Sequence, residues 1–166
     1  MRNRRCQILV AEDDDNDALL LTRAFEKSGL EHSISRVADG QEAVDYLAGM
    51  TPFLDRTLFP LPDLLLLDLK MPRMGGFEVL AWLGNRPDLQ LLPVVVLSSS
   101  SLPEDIAKAR ELGARDYKVK PVEFADLVRL VQHLHSCYLG PEPEFALPTP
   151  SLIGSSDAPS PKFNGG

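Results

Sequence analysis

Short apolar runs alternate with longer segments of helical periodicity over the first 139 residues of the chain. Each run is short enough for a strand, and three of them are almost continuously hydrophobic, as expected for strands covered on both faces. The runs are Gln7–Ala11, Ser33–Val37, Leu64–Asp68, Val94–Ser98 and Tyr117–Val119 with its flanks. The pattern predicts five strands, each followed by a helix.

Between the runs, apolar residues recur at three- to four-residue spacing, which is the pattern of a helix with one buried face. The residues of these stripes are Ala18, Leu21 and Phe25; Ala43, Tyr46 and Leu47; Leu80 and Leu83; and Leu127, Leu130, Val131 and Leu134. Asp14–Asp17 fit the first turn of the first helix, and Ser101–Glu104 predicts a capping box for the fourth. Because alternating strands and helices need crossover connections, we expect a doubly wound α/β fold with a parallel sheet and helices on both faces.

Two segments depart from this alternation. Thr51–Pro62 contains three prolines and predicts a long loop, whose apolar residues either fold back onto the domain or meet a partner. Those residues are Phe53, Leu54, Leu58 and Phe59. Residues 140–166 hold 6 of the 14 prolines and predict a tail, either disordered in isolation or docked on the domain or on a second copy.

Composition narrows the range of functions and locations that the chain could have. Seventeen Lys and Arg against 24 Asp and Glu give a net charge of −7, which disfavours binding to a nucleic acid backbone. Two cysteines are too few for a disulfide framework. Because no apolar run approaches the roughly 18 residues of a membrane span, we expect a cytoplasmic protein.

Polar residues follow the predicted strands at their carboxyl ends: Glu12 and Asp13, Asp68, Ser98 and Lys120. In a parallel sheet these ends meet at one edge, where open α/β sheets bind their ligands. Any one acid could cap a helix, but Asp68 ends an apolar run and no helix start follows it. Crowded carboxylates favour a cation, and oxygen ligands suit Mg²⁺ better than Zn²⁺. A carboxylate beside Mg²⁺, a hydroxyl and a lysine can act as a nucleophile in phosphoryl transfer.

The chain resembles the receiver domain of bacterial two-component response regulators over roughly residues 6–139. The matching motifs are Ile8–Asp14, Asp68–Gly76, Pro93–Ser98 and Tyr117–Pro121. The resemblance implies a flavodoxin-like sheet with strand order 2-1-3-4-5, a receiver domain over residues 1–139 and a Pro/Gly/Ser-rich tail over residues 140–166. It makes Asp68 the phosphoacceptor, which takes a phosphoryl group without separate substrate turnover.

The resemblance also implies roles for the residues around Asp68. Asp13 would bind Mg²⁺ directly, Glu12 would act largely through metal-bound water, and the backbone carbonyl of Lys70 would be a further ligand. Ser98 and Lys120 would bind phosphoryl oxygens. The rotamer of Tyr117 would follow phosphorylation, and Lys120–Pro121 would be a cis peptide.

Within this family, Ala38–Leu47, the long loop and the lack of an output domain are similar to the single-domain regulators paired with bacterial phytochrome kinases. That similarity implies a sensor histidine kinase, here a phytochrome, as phosphoryl donor. It also implies a homodimer formed through the fourth helix, fifth strand and fifth helix or nearby surfaces. The alternative is an adaptor of receiver fold that binds partners without being phosphorylated.

Overall fold

The computed structural model describes residues 5–140, and the predicted tail lies outside that range except for Gly140. Five strands alternate with five helices. The strands are β1 (Gln7–Ala11), β2 (Ser33–Val37), β3 (Leu64–Leu67), β4 (Val94–Ser98) and β5 (Asp116–Val119). The helices are α1 (Asp15–Lys27), α2 (Gly40–Ala48), α3 (Gly76–Gly84), α4 (Pro103–Glu111) and α5 (Phe124–Leu134). A 3₁₀ turn at Pro87–Leu89 precedes β4, and a π-helical segment at His135–Leu139 follows α5.

The strands form one parallel sheet in the order β2-β1-β3-β4-β5, which confirms the predicted fold. Because β1 and β3 are neighbours, with Ala11 beside Leu67, the residues that follow them emerge side by side. β2 lies on one side of β1, and β3 lies on the other. The connections that leave β1 and β3 therefore run to opposite faces of the sheet, which opens a crevice at its carboxyl edge.

Helices cover the sheet on both faces. The side chains of α2, α3 and α4 pack on one face, and those of α1 and α5 pack on the other. β3 is buried along its whole length, as its four leucines predicted. Within residues 5–140, no helix is long and apolar enough to cross a membrane.

Two local predictions need correction. Ser101 does not cap α4: the N-cap is Leu102, and the Ser100 hydroxyl accepts from the Leu102 amide and donates to Asp105 at 2.5 Å. The bond between Lys120 and Pro121 is not cis; among the described residues the cis bond is Thr51–Pro52. A trans bond is the ordinary state before proline, and the turn after β5 accepts it.

The long loop folds back only in part. Phe53 and Phe59 pack around Tyr46 of α2, with ring centroids 5.1 and 6.0 Å from the tyrosine ring. Leu54 and Leu58 are instead 66% and 70% exposed. Folding back onto the domain is therefore confirmed for the two aromatic residues, which fill the space beside α2, whereas the two leucines remain exposed, as the partner alternative requires.

Candidate functional site

Three carboxylates meet at the carboxyl edge of the sheet. Glu12 and Asp13 follow β1, Asp68 follows β3, and one oxygen from each lies within 4.8 Å of the others. Glu12 and Asp68 are only 5% and 6% exposed, whereas Asp13 is open to solvent. The pairing of β1 with β3 therefore brings together acids that are 55 or more positions apart in the chain.

The ammonium of Lys120 lies among these acids. Its Nζ is 2.7 Å from Glu12 Oε2, 2.9 Å from Asp17 Oδ2 and 3.1 Å from Asp68 Oδ2. Lys120 reaches this position because its backbone amide donates to the carbonyl of Ser98, which continues the pairing of β4 and β5 beyond the last strand residue. One ammonium thus contacts three carboxylates, and Asp13 lies close to two of them.

The pKa values of both Glu12 and Lys120 are raised, by different balances of burial and charge. Burial raises the pKa of Glu12 from its usual 4.5 to about 7; the hydrogen bond from Lys120 lowers it, and repulsion from Asp68 raises it. For Lys120, burial lowers the pKa, but the hydrogen bonds to Glu12 and Asp17 and the charge of Asp68 outweigh that effect and raise it. Lys120 is therefore a permanent cation in this site.

The segment after Asp68 is held close to the sheet. Asp68 Oδ1 accepts from the amide of Leu69 at 2.7 Å. A side chain at Gly76, the first residue of α3, would overlap the carbonyl of Asp68, so only glycine allows α3 to begin so near the acid. Arg73 has a φ of +62°, which is uncommon for a residue with a side chain, and its guanidinium holds Asp39 at 2.7 Å.

The other predicted residues lie around the same edge. Ser98 ends β4 and is fully buried, and its hydroxyl accepts from the amide of Ser100. The ring of Tyr117 on β5 is buried, and its hydroxyl donates to the carbonyl of Ser100 at 2.7 Å. Lys70 is exposed in the loop after Asp68. Both Ser98 and Tyr117 are thus tied to the loop between β4 and α4.

The side chains of this edge fit a hard divalent cation. Glu12, Asp13 and Asp68 offer only oxygen atoms, and the exposure of Asp13 leaves a route from solvent. Lys120 balances only part of their charge. Among the described residues, this cluster alone combines three metal-ligating side chains.

Sequence reasoning missed two residues of the site. Asp17 was assigned only to the first turn of α1, but its carboxylate reaches Lys120. Arg36 on β2 donates to the loop between β1 and α1 from Nε and both Nη atoms. A signal was present in each case, because Asp17 is one of five acids between positions 12 and 17, and Arg36 is the basic residue at the end of the strand beside them.

Known proteins resemble this chain over most of its length. The family model of the response regulator receiver domain matches residues 8–132. The chain is 37% identical over 133 residues to the probable methanogenesis regulatory protein FilR2 of Methanothrix harundinacea, covering 80% of this chain and 83% of FilR2. It is 34% identical over 132 residues to response regulator Rcp1 of Synechocystis, covering 80% of this chain and 88% of Rcp1.

Solved structures show the same likeness. Response regulator RPA3017 in red light signalling of R. palustris superposes with a TM-score of 0.77 at 36% identity, over 81% of this chain and 94% of that one. The phosphorylated cyanobacterial phytochrome response regulator RcpA gives 0.75 at 33% identity, over 82% and 95%. The Mn²⁺-bound form of Rcp1 gives 0.72 at 34% identity, over 81% and 94%.

Proposed function

This chain belongs to the response regulator receiver domain family, and we propose that it accepts a phosphoryl group from a sensor histidine kinase onto Asp68 in a Mg²⁺-dependent reaction. The observation that carries the proposal is the position of the Asp68 carboxylate. It is 6% exposed, lies 3.1 Å from the ammonium of Lys120 and shares its edge of the sheet with Glu12 and Asp13. A carboxylate in this position can act as the nucleophile, and the charged groups beside it can stabilise the phosphorylated product.

In the proposed reaction, an oxygen of Asp68 forms a bond to phosphorus while the bond from phosphorus to the histidine nitrogen of the kinase breaks. The imidazole leaves and takes up a proton. Lys120, already hydrogen-bonded to Asp68, binds one phosphoryl oxygen, and the Ser98 hydroxyl donates to another. Positioning and charge are the main contributions of the protein to such a transfer.

Mg²⁺ would supply positive charge beside the incoming phosphoryl group. Glu12, Asp13 and Asp68 with the backbone carbonyl of Lys70 would hold it, with Glu12 acting largely through water. The oxygen-only donor set and the excess of carboxylates over Lys120 support this choice. The Mn²⁺-bound form of Rcp1 supports a divalent cation in this family.

Ser98 and Tyr117 form the proposed switch. Both side chains are tied to Ser100, through its amide and its carbonyl respectively. If Ser98 turns its hydroxyl toward a phosphoryl group on Asp68, the bond to the Ser100 amide is lost. The loop before α4 then moves, and Tyr117 changes rotamer with it.

We further propose a bacterial phytochrome as the kinase. RPA3017 is described in red light signalling, and RcpA is described as a phytochrome response regulator. The superposition with this chain covers 94% of RPA3017 and 95% of RcpA. Transfer from a purified phytochrome kinase, tested in both of its light states against a panel of other histidine kinases, examines this assignment. Transfer from none of them would favour an adaptor that works without phosphorylation.

We also propose a receiver domain over residues 1–139, a separate tail over residues 140–166, and a homodimer that does not bind nucleic acid directly. The apolar side chains of Leu102, Val119 and Val122, exposed by 54%, 44% and 97%, lie near the proposed switch and support an interface there. Light scattering on the full chain and on residues 1–139 checks the assembly. We expect a dimeric mass for both, and a monomeric mass for the full chain would contradict the dimer.

Labelling by acetyl phosphate tests the central proposal. With Mg²⁺ present, the full chain should acquire one phosphoryl group that hydroxylamine removes, as expected of an acyl phosphate, and Asp68→Asn should acquire none because the nucleophilic oxygen is missing. Asp88→Asn is the matched control, since Asp88 is an exposed acid paired with Arg86 away from the site. Undiminished labelling of Asp68→Asn would overturn the assignment of the acceptor.

A further inference from the structure

The guanidinium of Arg36 binds the loop that carries two of the candidate metal ligands. Its Nε donates to the carbonyl of Glu12 at 2.9 Å, and Nη2 donates to the carbonyl of Asp13 at 3.1 Å. Its Nη1 is 2.6 Å from the Asp15 carboxylate. All three nitrogens of one side chain therefore hold one four-residue segment, Glu12–Asp15.

This contact is not a surface ion pair of the ordinary kind. The Asp15 side chain is 91% exposed, but the Arg36 side chain is only 32% exposed, and two of its three partners are backbone carbonyls. A carbonyl that accepts a hydrogen bond fixes the peptide plane, and the peptide plane fixes where the following side chain points. The fork geometry of arginine allows this because its three nitrogens donate from separate positions, whereas lysine donates from a single nitrogen.

β2 supplies the rigid base for this contact. Arg36 lies beside Val10 in the parallel register of β1 and β2, and the amide of Glu12 donates to the carbonyl of Val37. The loop is thus bonded to β2 through Glu12 N–H and through two carbonyls. Arg36 also brings a positive charge to the acids without occupying one of the three clustered carboxylates.

We propose that Arg36 is a positioning residue of the metal site, which orients Glu12 and Asp13 through their backbone and so sets the affinity for Mg²⁺. This inference rests on the proposed function for the identity of the metal. Partners that orient metal ligands commonly change metal affinity by 10- to 100-fold when they are removed.

Isothermal titration calorimetry with MgCl₂ on the full chain tests the proposal. We expect Arg36→Ala to weaken Mg²⁺ binding by about tenfold. Arg36→Lys should restore little of the affinity because it keeps the charge and loses the fork, and Asp15→Asn should stay within about twofold of the unmodified chain because both carbonyl contacts persist. Arg129→Ala, which breaks a surface pair with Asp126 on α5, is the matched control.

A merely structural role predicts a different result. It would lower the melting temperature of Arg36→Ala equally with and without Mg²⁺, whereas a positioning role reduces the rise in melting temperature that Mg²⁺ causes. Arg36→Ala with the affinity of the unmodified chain, or full restoration by Arg36→Lys, would overturn the proposal. If Arg36→Ala does not fold, Arg36→Lys and Arg36→Gln decide by the same affinity criterion.

The proposed function can fail separately. A chain that binds Mg²⁺ through an Arg36-dependent site but takes no phosphoryl group from acetyl phosphate would contradict phosphorylation and leave the role of Arg36 intact. A chain that is labelled on Asp68 while Arg36→Ala binds Mg²⁺ normally would contradict only the role of Arg36.

Discussion

At the carboxyl edge of the sheet, the ammonium of Lys120 contacts three carboxylates and Asp13 adds a fourth acid to the cluster, whereas at the amino edge a backbone amide and two imidazole rings form a hydrogen-bonded chain. There, the amide of Cys6 donates to His32 Nδ1 at 3.2 Å, and His32 Nε2 lies 2.8 Å from His135 Nδ1. With Nδ1 of His32 accepting, its Nε2 carries the proton and His135 accepts in turn. Two imidazole rings thus join the start of the sheet to the end of α5.

The difference separates a structural arrangement from a functional one. The hydrogen bonds at the amino edge satisfy its polar groups within the protein, so they do not call for a ligand. Like charges held together cost stability, and a bound divalent cation would offset that cost. The two edges should also respond to pH with opposite sign.

Removing Lys120 should have the largest effect on stability. Lys120→Ala leaves Glu12, Asp17 and Asp68 without their shared cation, and we expect the free energy of unfolding in EDTA to fall by about 2 kcal/mol, allowing for the partial exposure of the site. Mg²⁺ should reduce the loss because it supplies positive charge to the same acids. Urea unfolding with EDTA and with Mg²⁺ measures both values. An equal loss in the two conditions would contradict the picture of an acidic site that shares its cations.

Titration of Glu12 should make the carboxyl edge less stable as the pH rises. Its pKa is about 7 in the folded chain against a usual 4.5, so the folded state holds more protons between these values and loses stability with increasing pH. The slope from this one group is at most about 1.4 kcal/mol per pH unit.

Urea unfolding in EDTA between pH 5 and pH 8 should show this slope, and Glu12→Gln should remove it. Glu111→Gln, at the exposed end of α4, should leave it unchanged. A slope that survives in Glu12→Gln would assign the titration to another group.

The amino edge should give the smallest effect, with the opposite sign. Burial lowers the pKa of His32 below 6.5, the electrostatic interaction with His135 lowers it further, and Asp63 opposes both. The unfolded chain therefore binds the proton first, and stability is lost as the pH falls from about 7 through the lowered pKa of His32. We expect less than about 1 kcal/mol, the scale of one hydrogen bond.

Melting temperatures between pH 7.5 and pH 5.5 measure this effect. The decrease should be smaller in His135→Ala, which lacks the second ring, than in His133→Ala, whose histidine is exposed. Equal decreases in the two variants would show that the contact between His32 and His135 does not cause the loss of stability at low pH.

Much of the fold, and the polar residues at the carboxyl edge, can be predicted from the sequence. Strands and helices follow from apolar periodicity, and the polar residues at strand ends follow from the direction of a parallel sheet, so Glu12, Asp68 and Lys120 were found. Arg36 and Asp17 were missed because their partners depend on strand neighbours and helix position rather than on local pattern. The exposure of Leu54 and Leu58 was missed for the same reason, since it depends on which side chains of the folded loop pack beside α2.

The long loop before β3 contains one further arrangement. Arg56 donates to the carbonyls of Tyr46 and Leu47 at 2.8 and 3.0 Å, at the end of α2 where the usual i+4 amide partners of helical carbonyls are missing. The loop thus completes the helix it follows, with the charge that a helix C-terminus prefers. Loop shortening in an engineered or chimeric receiver would therefore uncover the end of α2, whereas the exposed side chains of Leu54 and Leu58 offer positions for attaching a fluorescent label without disturbing the core.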